Sequence, residues 1–295
     1  MSQAEAVRAG AAGAGAGAVR RVTAAGFAAL FRSELALVFR RARTIALLAI
    51  LASLPVLIGV VVRIQTGGAR GEGPAFVAQV TQNGLFLVFT ALAVALPVFL
   101  PMTVGVVAGD AVAGEASGGT LRYLLVAPAG RTRLLAAKFT AAVAYCTAAT
   151  GVIALSALAT GAALFPLGEV TLLSGDTIGA GEALLRALLV ALVVAASLLG
   201  LVAIGLFVST LTTSGIAAMA TTVVLVITVQ ILDTFPQLHA VQPFLFTHHW
   251  LSFSDLLRQP MHWDGVLQNL GLQAVYTAVF GSAAWARFSS RDVTG

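Results

Sequence analysis

Six long apolar stretches, at 44–62, 84–109, 136–164, 184–208, 214–232 and 266–286, constrain this chain more than any other feature. An α-helix needs about 20 mostly apolar residues to cross about 30 Å of hydrocarbon. Hydrocarbon offers no partner to backbone N–H and C=O groups, so such runs cross as helices rather than as loops or open strands. The segments between the runs carry nearly all the charge. The expected fold is therefore an all-α membrane protein with six transmembrane helices. Composition agrees, with 10% charged residues where soluble domains average about 25%.

The segments divide the chain into a tail, an entry helix and the spans. Residues 1–19 are an Ala/Gly tract with little side chain to bury and are expected to be disordered. Residues 20–43 include an amphipathic, interfacial stretch. Phe27, Leu30, Phe31, Leu35 and Val38 recur at helical spacing, with Arg32, Ser33, Arg40 and Arg43 opposite. Glu34 falls inside the apolar arc. It either snorkels to water or, the reading favoured here, sits where the arc packs on protein and pairs with Arg41, Arg131 or Arg133. The six-span domain then runs over 44–288, and 289–295 is a short tail.

Lys and Arg set the expected orientation. With an inside N-terminus, the inner segments hold thirteen of them and the outer segments four: Arg63, Arg70, Arg186 and Arg258. That is a positive-inside bias, which puts both termini in the cytoplasm and the chain in the cell membrane as a multi-pass protein in contact with lipid. The basic residues form no face with interleaved aromatics, so nucleic acid is not an expected partner. Cys146 is single and lies within an apolar run, where a small buried thiol is packing.

Function must reside in few groups. No ionisable residue sits mid-span, which weakens proton-coupled pumping and leaves no cluster for a membrane-embedded enzyme. Asp110 and Asp233 fall at span ends, and Glu182 with Arg186 is most simply a surface pair four residues apart. Pro97 and Pro101 each remove a backbone donor and should kink the second helix near its inner half. Thr221, Thr222 and Thr228 dot the fifth, where hydroxyls most often bond back to their own helix. His239, His248, His249 and His262 lack a closed metal-ligand spacing, and adjacent His248 and His249 would point apart on a helix. No metal site is expected.

The richest local signal lies between the second and third spans. Residues 109–138 read as a short helix bearing Asp110 and Glu115, a Gly118-Gly119 break, a second short helix from Thr120 with Leu121, Arg122 and Tyr123, a stop at Pro128, and a basic entry with Arg131, Arg133 and Lys138. A minimal connection needs less.

The pattern Glu115-x-x-x-Gly119-Thr120-Leu121, then Leu124-Leu125, Pro128, Arg131 and Lys138, resembles the first cytoplasmic loop of permeases of the type-2 class of ATP-binding-cassette exporters. Arg32-Ser33-Glu34-Leu35 through Arg40-Arg41-Ala42-Arg43 is similar to that family's elbow helix. Pro243–Trp250 with Ser254–Arg258 resembles its re-entrant outer segment, and Trp285–Thr294 its C-terminal ending. The resemblance implies a coupling helix in the first inner loop, with Asp110, Glu115, Thr120, Leu121, Arg122, Tyr123 and Arg131 as contacts for a nucleotide-binding ATPase subunit. It assigns Glu34, Arg40, Arg41 and Arg43 to the elbow, and lines the translocation path with the second and fifth helices, hence Pro97, Pro101, Thr221, Thr222 and Thr228. It implies a second permease half, identical or related. The chain has no P-loop and its one lysine is Lys138, so it is not expected to be an enzyme or to bind a cofactor. ATP and Mg would sit on the partner. The competing reading is a stand-alone secondary carrier or channel that works without ATP.

Overall fold

The computed structural model describes residues 26–68, 80–119 and 130–290. The expected tail at 1–19, the second half of the inner loop with Thr120, Leu121, Arg122 and Tyr123, and residues 291–295 lie outside the described residues. Helix α1 covers 26–40 and turns at Arg41 into α2, Ala42–Gly68. The arc Phe27, Leu30, Phe31, Leu35 and Val38 is half-buried, and Arg32, Ser33 and Arg40 are exposed, as the periodicity requires.

The second apolar run becomes two helices, α3 (Phe86–Ala95) and α4 (Phe99–Ser117). Residues 96–98 interrupt it at Pro97, whose ring would strike the carbonyl four residues back and which offers no N–H. Pro101 sits in the first turn of α4, where a missing donor costs nothing. The expected kink near the inner half is thus a full interruption in the middle of the predicted run, and one proline makes it.

Next come α5 (Arg131–Leu164), a two-residue antiparallel ladder of β1 (Val170–Thr171) with β2 (Thr177–Ile178), and α6 (Ala180–Ser197). Helix α7 (Leu199–Leu211) continues the line of α6 after a break at Leu198. Helix α8 spans Gly215–Asp233 and is capped by the Ser214 hydroxyl, which accepts from the Ala217 N–H. Three short 3₁₀ helices, the longest Trp250–Leu257, lead to α9, Asp264–Ser289.

Among the described residues five helical stretches are long and apolar enough to cross a bilayer: Ala42–Gln65, Phe99–Ser117, Arg131–Leu164, Ala180–Leu211 and Gly215–Asp233. The sixth predicted run lies in α9, a 26-residue helix. Asn269 and Gln273 within it lower its apolarity below that of the other five.

Helices α4 and α7 form the centre of the bundle, and α2 and α8 lie mostly exposed at its edges. Close approach relies on glycine. A Cβ at Gly109 of α4 would stand 3.0 Å from the Ala218 carbonyl oxygen of α8. One at Gly205 of α7 would meet the Ala108 Cβ at 2.8 Å. Gly105 and Gly109 are four apart, so α4 offers α8 a glycine groove of the small-xxx-small kind. The Thr222 methyl fits between Gly105 and Gly205, at 3.3 Å from a Cβ placed on either. Where α5 ends, Gly161 and Gly84 meet backbone to backbone, and the Gly84 N–H donates to the Pro166 carbonyl at 3.0 Å. The chain leaves α4 and re-enters at α5 at one end of the bundle, where the 41–43 corner, the start of α8 and the end of α9 also lie.

Candidate functional site

At that end the structure gathers six charges: Glu34, Asp110, Glu115 and Lys138 are buried, while Arg41 and Arg43 are more than a third exposed. Lys138, two turns into α5, places its Nζ 3.0 Å from Glu34 Oε2 and 2.5 Å from Glu115 Oε1. The lysine side chain is 1% exposed and both carboxylates 6%. Beside it, Asp110 Oδ2 accepts from Arg43 Nη2 at 2.7 Å and from Arg41 Nη1. Arg43 Nη1 also points at the Met219 sulfur of α8, 3.1 Å away. Gly114 and Gly215 make room for Asp110, since a Cβ on either would come within 2.4 and 2.6 Å of its Oδ1. A cavity of about 30 Å³ lies among Glu34, Arg41, Arg43, Glu115 and Lys138, enough for one or two waters.

Three carboxylates against three cations leave the cluster neutral, so each buried carboxylate has a cation beside it. Such a cluster adds little stability over apolar packing, because desolvation offsets the attraction. What it does supply is registry. Lys138 joins α1, α4 and α5 through one nitrogen, and Asp110 joins the 41–43 corner to α4.

Several expectations change. Glu34 does pair within a protein-packed arc, but its partner is Lys138. Arg41 is taken by Asp110, and Arg131 donates from Nη1 to the Ser289 carbonyl at 2.6 Å, closing the C-terminus of α9. Asp110 is not at a helix end: it sits two turns inside α4 and is buried. Glu115, which the resemblance makes a contact for an ATPase subunit, is buried against Lys138. Arg40 is exposed and outside the cluster. Lys138, read from sequence as part of the basic entry to the third span and of the permease-like pattern, is the shared partner of Glu34 and Glu115.

The threonines of α8 divide between two faces. Thr222 is buried and donates to the Ala218 carbonyl at 2.8 Å, the back-bond expected of such hydroxyls. Thr221 and Thr228 share an exposed face with Ala220, Val224 and Leu225. Pro97 lies between α3 and α4, and Pro101 in the first turn of α4.

The far end carries a second set of contacts. Arg186, expected on the surface, is buried. Its Nε and Nη2 reach Glu182 Oε1 at 3.1 and 2.7 Å, so the pair exists. The rest of the guanidinium donates to the Leu256 and Arg258 carbonyls, each at 3.0 Å, and to Gln259 Oε1. Arg186 thereby pins the 3₁₀ helix Trp250–Leu257 to α6. Nearby, His248 Nδ1 lies 2.7 Å from Asp233 Oδ1, and the His248 and His249 rings meet edge to face at 4.8 Å. They occupy a turn rather than a helix, so they do not point apart. Burial, then the neighbouring His248, holds His249 below the usual imidazole range. Among the described residues no three His, Cys, Asp or Glu converge as metal ligands.

A third set of polar contacts is buried mid-bundle. Asn269 Nδ2 donates to Ser197 Oγ at 2.6 Å. Gln273 Nε2 donates to the Phe246 carbonyl at 2.7 Å and to Asn269 Oδ1 at 3.2 Å, while its Oε1 accepts the Gly200 N–H at 3.3 Å. A side chain from α9 thus accepts a backbone N–H beside the α6–α7 break, which contains no proline.

Long apolar helices packed on small residues, with charge gathered at the two ends and amides paired inside, define the class of polytopic helical membrane proteins. Over residues 42–294 the chain belongs to a family described as a protein of unknown function (DUF2705). No curated protein matches it.

Proposed function

We propose that the chain is the membrane permease of an ATP-driven exporter, crossing the bilayer six times with α9 as the sixth span and α1 as an interfacial elbow. The 26 residues of α9 extend about 39 Å at 1.5 Å per residue, enough to cross. Both termini are cytoplasmic on this reading, and a nucleotide-binding subunit that carries ATP and Mg docks on the 118–130 connection, with Asp110 and Glu115 buried behind it. A second permease half completes the path, lined by α3–α4 and α8.

The observation that carries the reading is the Lys138 contact with Glu34 and Glu115. The connection leaves α4 next to Glu115 and returns into α5 next to Lys138, and both are bonded to α1 or to each other. A push on the connection is therefore delivered to α1, α4 and α5 together rather than absorbed by a loose loop. Coupling to a soluble motor needs such a joint, whereas a stand-alone carrier does not.

Purification of the tagged chain from its native membrane, in mild detergent, tests this. A P-loop ATPase should co-purify in near-stoichiometric amount, and the complex should hydrolyse ATP. Recovery of the chain with no ATPase, from membranes where it is active, would sink the exporter reading.

A further inference from the structure

Between α3 and the 3₁₀ helix Trp250–Leu257 lies an apolar slot of about 380 Å³. Engineered apolar cavities of about 150 Å³ already bind benzene. Both walls follow from helical period. On α3, Phe86, Phe89, Thr90 and Ala93 stand at i, i+3, i+4 and i+7, one face of an α-helix. On the facing helix Leu251, Ser254 and Leu257 stand three apart, and a 3₁₀ helix with three residues per turn stacks them in one row. The Thr90 hydroxyl is spent on the Phe86 carbonyl at 3.2 Å, so Ser254 brings the other hydroxyl to an otherwise carbon lining.

The slot is held open by bonds outside it. Arg186 grips the Leu256 and Arg258 carbonyls. The Leu173 N–H donates to the Leu257 carbonyl at 3.0 Å, and the Gln259 N–H to Ser174 Oγ at 3.1 Å. The 3₁₀ wall cannot fold inward to close the space without breaking this set. The rim is apolar as well: Val94, Leu173 and Leu251 are 45–49% exposed. In a chain whose long helices are apolar enough to cross a bilayer, an exposed apolar rim of this kind suits contact with hydrocarbon.

We infer that the slot is a binding site for one acyl chain of a membrane phospholipid, inserted sideways between α3 and the 3₁₀ helix. The chain of a lipid matches a nearly all-carbon slot with an exposed apolar mouth, and its carbonyl end can accept from the Ser254 hydroxyl. The inference rests on the membrane character of the chain and does not depend on an ATPase partner.

The experiment uses full-length protein in nanodiscs of palmitoyl-oleoyl phosphatidylcholine, doped with phosphatidylcholine that carries a diazirine on one acyl chain. After photolysis, mass spectrometry maps the labelled residues. The expected result is labelling of 86–94 and 251–257 several-fold above 184–192, where Leu184, Leu185, Leu188 and Leu192 are simply exposed. Ala93→Phe, which fills the slot, should lower that labelling several-fold and leave 184–192 unchanged. Leu251→Trp, at the exposed rim, blocks the mouth without touching the core and provides the same test should Ala93→Phe not fold. Equal labelling of the slot and of 184–192, or slot labelling indifferent to both substitutions, would show ordinary lipid contact only and overturn the site. Protection of 86–94 and 251–257 in wild-type protein would show the slot covered by protein and overturn it equally.

Discussion

Lys138 Nζ stands 2.5 Å from Glu115 Oε1, so the last turn of α4 and the second turn of α5 are locked by one contact although the connection between them is long. The same nitrogen holds Glu34 of α1. Lys138→Met leaves two buried carboxylates facing each other without a cation and should cost about 3–5 kcal/mol, the usual penalty for breaking a buried pair from one side. The combined variant Glu34→Leu, Glu115→Leu and Lys138→Met removes all three charges and should recover most of the loss. Thermal unfolding in detergent separates these outcomes. Wild-type stability in the single variant would mean that the triad is not buried as described.

A parallel expectation concerns Arg186. Its loss orphans the Leu256 and Arg258 carbonyls and Gln259, while Glu182 at 49% exposure simply returns to water. Hydrogen bonds to a charged group contribute about 1.5–3 kcal/mol each. Arg186→Leu should therefore raise amide hydrogen exchange across 250–260 by at least tenfold and leave α4 and α5 unaffected. Unchanged exchange in that segment would show that it is held by its apolar contacts alone.

What could be foreseen follows the range of the interactions. The apolar runs, the face of α1 and the break at Pro97 depend on neighbours within a few residues, and period and proline chemistry expose them directly. The partner of Glu34 lies 104 positions away, and no local pattern chooses Lys138 over Arg131 or Arg133. Those three share a helix and differ only in how far along it they sit. Glu115 looked like surface because charge near a loop usually is. Its burial depends on how α4 stacks against α5. The break at Leu198 has no breaker in its own sequence, and the side chain that meets it, Gln273, lies on α9, 73 positions beyond Gly200. Arg186 was visible only as half of an i,i+4 pair, because the carbonyls it holds are backbone groups that every segment has.

Orientation is tested by accessibility. In a Cys146→Ala background, cysteines at Asp176 and at Ser117, both exposed and at opposite ends of the bundle, should differ. Asp176→Cys is expected to react with an impermeant maleimide in intact cells, and Ser117→Cys only after lysis, since positive charge concentrates on the side of Ser117. Reaction of both from outside, or the reverse order, would overturn the six-span arrangement with cytoplasmic termini.

The break at Leu198 makes the last expectation. With Gln273 accepting the Gly200 N–H at 3.3 Å and donating to the Phe246 carbonyl at 2.7 Å, one amide side chain ties the α6–α7 joint to the segment before α9. Gln273→Leu keeps the volume close but orphans a buried N–H and a buried carbonyl, at about 1–3 kcal/mol for each group left unmade. Gly200→Ala attacks the same joint from the other side, because its Cβ would lie 2.5 Å from Gln273 Oε1 and 3.0 Å from the Tyr276 Cβ. If both act by releasing one contact, the double variant should be little worse than the more harmful single one, as expected for two changes to a shared interaction. Thermal unfolding measures the energies, and hydrogen exchange at 198–202 reports the joint itself. Additive losses, or exchange at the joint that Gln273→Leu leaves untouched, would show that the break is set within α6 and α7 and not by α9.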